Sequence, residues 1–166
     1  SALFEREMVR LLEDENASPS EAFAKEVMRT LKDEELMQSC GAMSLLMFES
    51  VSDPRFSHAY AKLYSAKQKI LRNIAGLFKE ELLGLYAKYA ETLPKNGFCP
   101  AVLSAQFKRN AVRNLILTIL AALESADVQE LISTQYHTAE SATVRLSALS
   151  LYLSSSAADR RELLAE

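Results

Sequence analysis

Tryptophan is absent from this chain of 166 residues, glycine and proline occur four times each, and cysteine and histidine twice each. Each scarcity excludes something. So few Gly and Pro mean few turns and long elements, and alternating apolar-polar runs bounded by turn residues are missing, so no strand is expected. Cys40 and Cys99 lack metal-type spacing and make no disulfide framework; they read as free thiols in a reducing compartment. A zincin needs two histidines one turn apart with a glutamate between them, so that both imidazoles face one metal. The only histidines, His58 and His137, are far apart. His58 reads as a solvated residue in the first turn of its helix. His137 reads as a helix end, where a partly positive ring suits the dipole. There is no G-x-S-x-G elbow, no cysteine beside a plausible histidine partner and no Gly-rich phosphate loop. The longest apolar run, Leu115 to Leu123, is far short of the roughly 20 residues that cross a bilayer. No charged-then-apolar signal segment opens the chain. No catalytic, cofactor-binding or metal-ligating residue is therefore expected, and neither a membrane nor nucleic acid as partner.

What is present favours helix. Leu, Ala, Glu and Lys abound, and such side chains lose little rotamer freedom in a helix. Apolar residues make up 49%, charged residues 25%, and the net charge is −3, against the basic balance of a nucleic-acid binder. A length of 166 residues fits one domain with a real core. Leu3, Phe4, Met8, Leu11 and Leu12 form a helical stripe. Ser18-Pro19-Ser20-Glu21 reads as the next start, with Ser18 as cap, Pro19 in the first turn and Glu21 completing a capping box. Phe23, Val27, Met28 and Leu31 then face the core. Asp33 opens a helix through Leu36, Met37, Cys40, Met43, Leu46 and Met47, weakened at Gly41. Ser52-Asp53-Pro54 starts a long one whose apolar positions run from Phe56 through Tyr60, Leu63, Ile70, Ile74, Leu77, Phe78 and Leu85 to Tyr89. Unbroken, it would exceed roughly 50 Å, so the reading admits a break near Tyr64–Ala66 or a bend near Gly76. Leu93-Pro94-Lys95-Asn96-Gly97 is the clearest loop. Pro100 starts a helix to about Leu123 whose second half is apolar nearly all round, hence central. Ser125 caps a helix to about His137, another runs from about Ala139 to Leu153, and Ser156 to Asp159 opens a last one through Leu163 and Leu164.

The charged clusters read as solvated faces. Glu13-Asp14-Glu15, Asp33-Glu34-Glu35 and Glu80-Glu81 sit at helix ends or on a polar face. Lys67, Lys69, Arg72, Lys108, Arg109 and Arg113 could be an anion patch, but no aromatic residues are interleaved with them in an RNA-module pattern. Arg113, before the apolar run, could satisfy carbonyls at a neighbouring helix end.

One ordered set of short motifs adds to this. Gln106 to Leu115 joins a basic, Asn-bearing helix start to an apolar helix, and Ser133 to Ala139 follows with Gln135-Tyr136-His137 and then Ala139. With Ala22 to Leu31 before Asp33-Glu34, Glu80 to Tyr86, and Thr143, Ala148 and Leu149, the order resembles the C-terminal helical domain of the zinc aminopeptidases of the alanyl aminopeptidase N family. Two departures stand out: Ser141-Ala142-Thr143-Val144 where that family often reads Asn-Met-Thr-Asp, and Tyr136 for a frequent Phe. The resemblance spans about Pro19 to Glu166. It implies a zinc-dependent aminopeptidase as the parent, with zinc, general base and amine-binding acids all outside this chain. It implies that residues 1–166 are a single helical domain, the N-terminal part of a larger C-terminal lid that walls off the active site. Its partners would be the catalytic domain of the same polypeptide and peptide substrates, and its location cytoplasmic. The start at Ser1 without Met and the end at Glu166 within a helical pattern read as an excised piece. The expected fold is all-α: about eight helices in antiparallel pairs, stacked as an irregular, superhelical α-solenoid of the ARM/HEAT kind without a strict sequence repeat. The competing reading is a stand-alone helical scaffold that binds a peptide or protein partner.

Overall fold

The computed structural model of the protein describes residues 2–40, 51–91 and 99–155. Among these residues every regular element is helical. The seven α-helices are α1 (Ala2–Glu13), α2 (Glu21–Lys32), α3 (Glu34–Cys40), α4 (Tyr60–Ala90), α5 (Pro100–Ala121), α6 (Ala126–Thr138) and α7 (Ala142–Ser154), with a 3-10 turn at Pro54–Phe56. The expected helical stretch at Met43 to Met47, Gly41, the Leu93–Gly97 loop and the last helix from Ser156 lie outside the described residues.

Helix α5 is central because its apolar side chains cover more than one face. Val112, Ile116, Leu117, Ile119 and Leu120 are all buried. On one side it lies antiparallel to α4: Arg109 reaches the Lys88 carbonyl near the end of α4, and Arg72 reaches the Ala122 carbonyl just past the end of α5. On its other sides pack α3, α6 and α7, while α1 and α2 close over α4. Helices α1 and α2 are themselves antiparallel, with Phe4 edge-to-face on Phe23 at 5.9 Å and Glu7 reaching Ser20. One continuous core results, from Phe4, Met8 and Leu31 through Ile70, Ile74 and Leu82 to Ile132, Ala148 and Tyr152.

Several local expectations change. Helix α2 starts at Glu21 with Ser20 as its cap, the Oγ accepting from the Phe23 N–H at 3.3 Å. Ser18 does not cap: its carbonyl accepts from Arg10 Nη2 at 2.6 Å, which keeps the segment extended. Nor does Glu21 complete a capping box, since it pairs with Lys25 one turn on. The box is closed from another helix. Glu7 of α1 accepts the Ser20 backbone N–H at 2.7 Å, the bond that a residue three places after the cap would ordinarily supply. Asp33 does cap α3, its Oδ1 accepting from the Leu36 N–H at 3.0 Å.

Asp53 caps only the 3-10 turn, through the Arg55 N–H at 3.0 Å, and α4 begins later, at Tyr60. His58 therefore sits exposed in the connecting turn, ahead of the helix. Helix α4 is unbroken at Tyr64–Ala66. Its irregular point is Phe78 (φ −127°, ψ 27°), two residues after Gly76. Tyr60 and Leu77, placed in the apolar stripe by their spacing, are 67% and 48% exposed, and Leu3 of α1 is exposed as well. Ser125 caps α6 by position, without a side-chain cap hydrogen bond.

Candidate functional site

Among the described residues one set of polar side chains gathers inside the fold. Gln135 of α6 is 1% exposed, an unusual place for an amide. Its Oε1 accepts from the Tyr86 hydroxyl of α4 at 2.7 Å. Its Nε2 donates to Asn114 Oδ1 of α5 and to the Val144 carbonyl of α7, both at 3.2 Å. Asn114 Nδ2 donates to Ser147 Oγ at 3.0 Å, and that hydroxyl donates to the Thr143 carbonyl at 2.9 Å. At the other end Arg113 donates to the Tyr86 oxygen from Nη2 at 3.1 Å and from Nε at 3.3 Å, its guanidinium 5.2 Å from the centre of the same ring. Donors and acceptors thus run in one direction: Arg113, Tyr86, Gln135, Asn114, Ser147, Thr143. Each group satisfies the next, as a buried polar network must to avoid a net penalty. The chain ties together α4, α5, α6 and α7.

Arg113 was expected to reach helix-end carbonyls. It bonds a phenol instead, because Tyr86 projects from the antiparallel neighbour at its level. The carbonyl-capping work falls to Arg109, on Lys88, and to Arg72, on Ala122. The six basic residues grouped by the sequence are not one patch. Lys88 and Arg72 lie 16 residues apart along α4, roughly 24 Å, and the arginines divide between those two levels. Lys69 is taken by the Glu15 carbonyl at 2.9 Å.

The acidic clusters also come apart into pairs between elements. Glu13 meets Arg55 at 2.7 Å, Glu15 meets Lys62 at 2.8 Å, Glu34 meets Lys88 and Glu81 meets Lys32. Asp127, at the start of α6, meets Lys79 of α4 at 2.6 Å. Lys79 chiefly holds its carboxyl down to about 2. Glu7 is nearly buried. Burial pushes its carboxyl up, but the Arg10 guanidinium and the Ser20 N–H outweigh this, and the net shift is downward.

His137 is exposed near the end of α6, its ring edge-on to Tyr136 at 5.1 Å. Among the described residues no three His, Cys, Asp or Glu side chains converge to hold a metal ion. The donor set among the described residues does not fit zinc. Among the described residues no helix is long and apolar enough to cross a membrane. Cys99 caps α5 by position, and the N–H groups of Val102 and Ala101 draw its thiol below the usual range.

A family model described as "Domain of unknown function (DUF3458_C) ARM repeats" matches residues 1–166, the whole chain. The chain belongs to this family. Comparison with curated proteins gives no match. The family's description as ARM repeats agrees with the helix pairs seen here, α4 with α5 and α6 with α7. Three residues of the network, Tyr86, Gln135 and Ser147, were not singled out for chemistry by the sequence, and Ser147 gave no signal at all. The signal of the other two was indirect: both fall inside the ordered motifs, Tyr86 closing one and Gln135 opening another.

Proposed function

We propose that this DUF3458_C domain is a non-catalytic helical wall of a zinc metallo-aminopeptidase, which limits access to an active site carried elsewhere in the same polypeptide. One observation supports the reading above others. Four of the motif residues whose order resembles the alanyl aminopeptidase N family, Tyr86, Arg113, Asn114 and Gln135, join through their side chains in one polar network. A set of dispersed residues that share one structural task is a firmer mark of kinship than any one of them. The role of such a wall is steric: it admits extended peptide N-termini and keeps water from the chemistry. The zinc, the general base and the catalytic domain as partner belong to the rest of the parent, in a cytoplasmic setting.

The test is on the parent. Its sequence upstream of Ser1 should carry H-E-x-x-H with a glutamate further on. The purified parent should release the N-terminal amino acid from aminoacyl p-nitroanilides, lose that activity to a chelator and regain it with zinc. The 166-residue chain alone should release none. An upstream region free of any zinc motif sinks the reading and leaves the stand-alone scaffold, to be pursued through its partner.

A further inference from the structure

Two tyrosine–arginine pairs stand one turn apart between α4 and α5, and they differ in one respect. In the pair Tyr86–Arg113 every buried polar atom is used. The phenol accepts from Arg113 and donates to Gln135. In the pair Tyr89–Arg109 the guanidinium lies over the ring at 5.4 Å in the same manner, and its Nη2 is fixed by the Lys88 carbonyl. Yet Tyr89 Oη and Arg109 Nε are both buried without a hydrogen-bond partner. Tyr89 is 3% exposed. Both orphaned atoms carry a hydrogen to donate, so what the pair lacks is an acceptor. An orphaned buried polar group is costly, and two in one stacked pair call for a common explanation.

The charge balance points the same way. Among the described residues Arg10, Arg29, Arg55 and Arg72 have a carboxylate within ion-pair distance, whereas Arg145, which bonds the Ala139 carbonyl, has none. Arg109 and Arg113, four residues apart on one face of α5, have none among the described residues, and they bond only to neutral oxygens. Two half-buried cations on adjacent turns raise the local positive potential, and the tyrosine rings hold them in place.

We propose that Tyr89 and Arg109 form an anion-binding site that takes a carboxylate, one oxygen accepting from the Tyr89 hydroxyl and the other from Arg109 Nε. A carboxylate suits this donor set because it has two oxygens in one plane and a single charge. The Lys88 carbonyl takes one of the two N–H groups on Nη2 and so fixes the guanidinium over the ring. The site would accept a small carboxylate or an acidic side chain of a bound peptide. It does not depend on the aminopeptidase reading.

The test is thermal unfolding of the 166-residue chain in sodium acetate against sodium chloride at equal ionic strength, with inorganic phosphate and a short Asp-containing peptide with blocked termini as further arms. Acetate above its Kd should raise Tm by about 2 °C or more over chloride, and should shift the Arg109 Nε–H resonance. A response to the peptide at much lower concentration than to acetate assigns an acidic side chain as the occupant; the reverse assigns a free carboxylate. Tyr89→Phe keeps the ring under the guanidinium and removes one donor. In chloride it should melt no lower than the wild type, because the hydroxyl had no partner to lose, and it should lose the acetate response. Arg109→Lys should lose the response as well. No acetate effect beyond chloride, an effect from phosphate alone, or an acetate effect retained in Tyr89→Phe overturns the proposal. So does a marked fall in Tm for Tyr89→Phe in chloride, which would mean that the hydroxyl already has a partner.

Discussion

At the scale of single residues the buried amide dominates. Gln135 has three hydrogen bonds to three other helices, and two of its partners, Tyr86 and Val144, are themselves buried. Gln135→Leu keeps the volume, leaves the Tyr86 O–H without its acceptor and takes the Nε2 donor away from Asn114 Oδ1 and the Val144 carbonyl. The expected cost is about 3 kcal/mol in urea unfolding, from the desolvation of the groups left behind. Gln135→Glu separates packing from donation. An ionised carboxylate accepts from Tyr86 but has nothing to give Asn114 or Val144, so this variant should be weaker at pH 7 than at pH 5. Equal stability at both pH values would mean that Nε2 contributes little. Both substitutions act on a residue that spacing alone treats as one polar position near a helix end.

At the scale of elements the helices are shaped by where they start, stop and bend. Helix α5 ends where Glu124 adopts φ 52°, a left-handed conformation that glycine accepts without strain. The Glu124 side chain is exposed and only 3.9 Å-close to Arg72. Glu124→Gly should therefore stabilise the protein by about 0.5–1 kcal/mol, and Glu124→Val should destabilise it; denaturant midpoints read both. Helix α4 supplies the opposite case. A Cβ built at Gly84 meets nothing within 4 Å, so the flexibility of that glycine serves no close approach. Gly84→Ala should raise stability by about 0.5–1 kcal/mol through helix propensity alone. The irregularity of α4 belongs to Phe78, and Gly84 lies beyond it.

At the scale of the whole molecule the cross-links between helices are of two kinds. The exposed ion pairs, such as Arg55–Glu13 and Lys62–Glu15, are worth little each and weaken with salt. The apolar core carries no charges for salt to screen. Acid, however, reaches the carboxylates together. Glu5, Glu7, Glu15, Glu21, Glu26, Asp53 and Asp127 are all held below their ordinary values, chiefly by hydrogen bonds from Ser52, Arg10, Lys62, Lys25, Arg29, Arg55 and Lys79 respectively; for Glu7 these must first overcome burial. A lowered folded value means that the unfolded chain binds protons first. The stability these groups contribute is complete above their unfolded values, about 4. It is lost as pH falls through the folded values, the lowest cited being about 2 at Asp127. Urea midpoints should be flat from pH 7 to about 5 and then fall. Glu7→Gln should flatten that fall while lowering the neutral plateau, since Glu7 holds both Arg10 and the Ser20 N–H.

Much of the fold was legible because helical periodicity is local. The apolar spacing of α2 and α5, that of α1 apart from the exposed Leu3, the Asp33 cap and the Pro100 start each depend on a few neighbouring residues, and each stands as read. The misplaced start of α2 shows the limit. Ser18 and Ser20 are equivalent as local signals, and only the arrival of Glu7 and Arg10 from α1 decides between them. Tyr60 and Leu77 share a helical phase with buried neighbours, but which faces of α4 are covered is set by the helices around it. The candidate sites follow the same division. The order of the motifs lies in the chain, whereas the contact of Tyr86 with Gln135, and the contrast between the satisfied Tyr86 and the orphaned Tyr89, depend on antiparallel packing. Sequence by itself determined the helices, because their hydrogen bonds close within four residues. Only the tertiary structure decided which polar groups would meet in the core, because desolvation acts on whatever packing brings together.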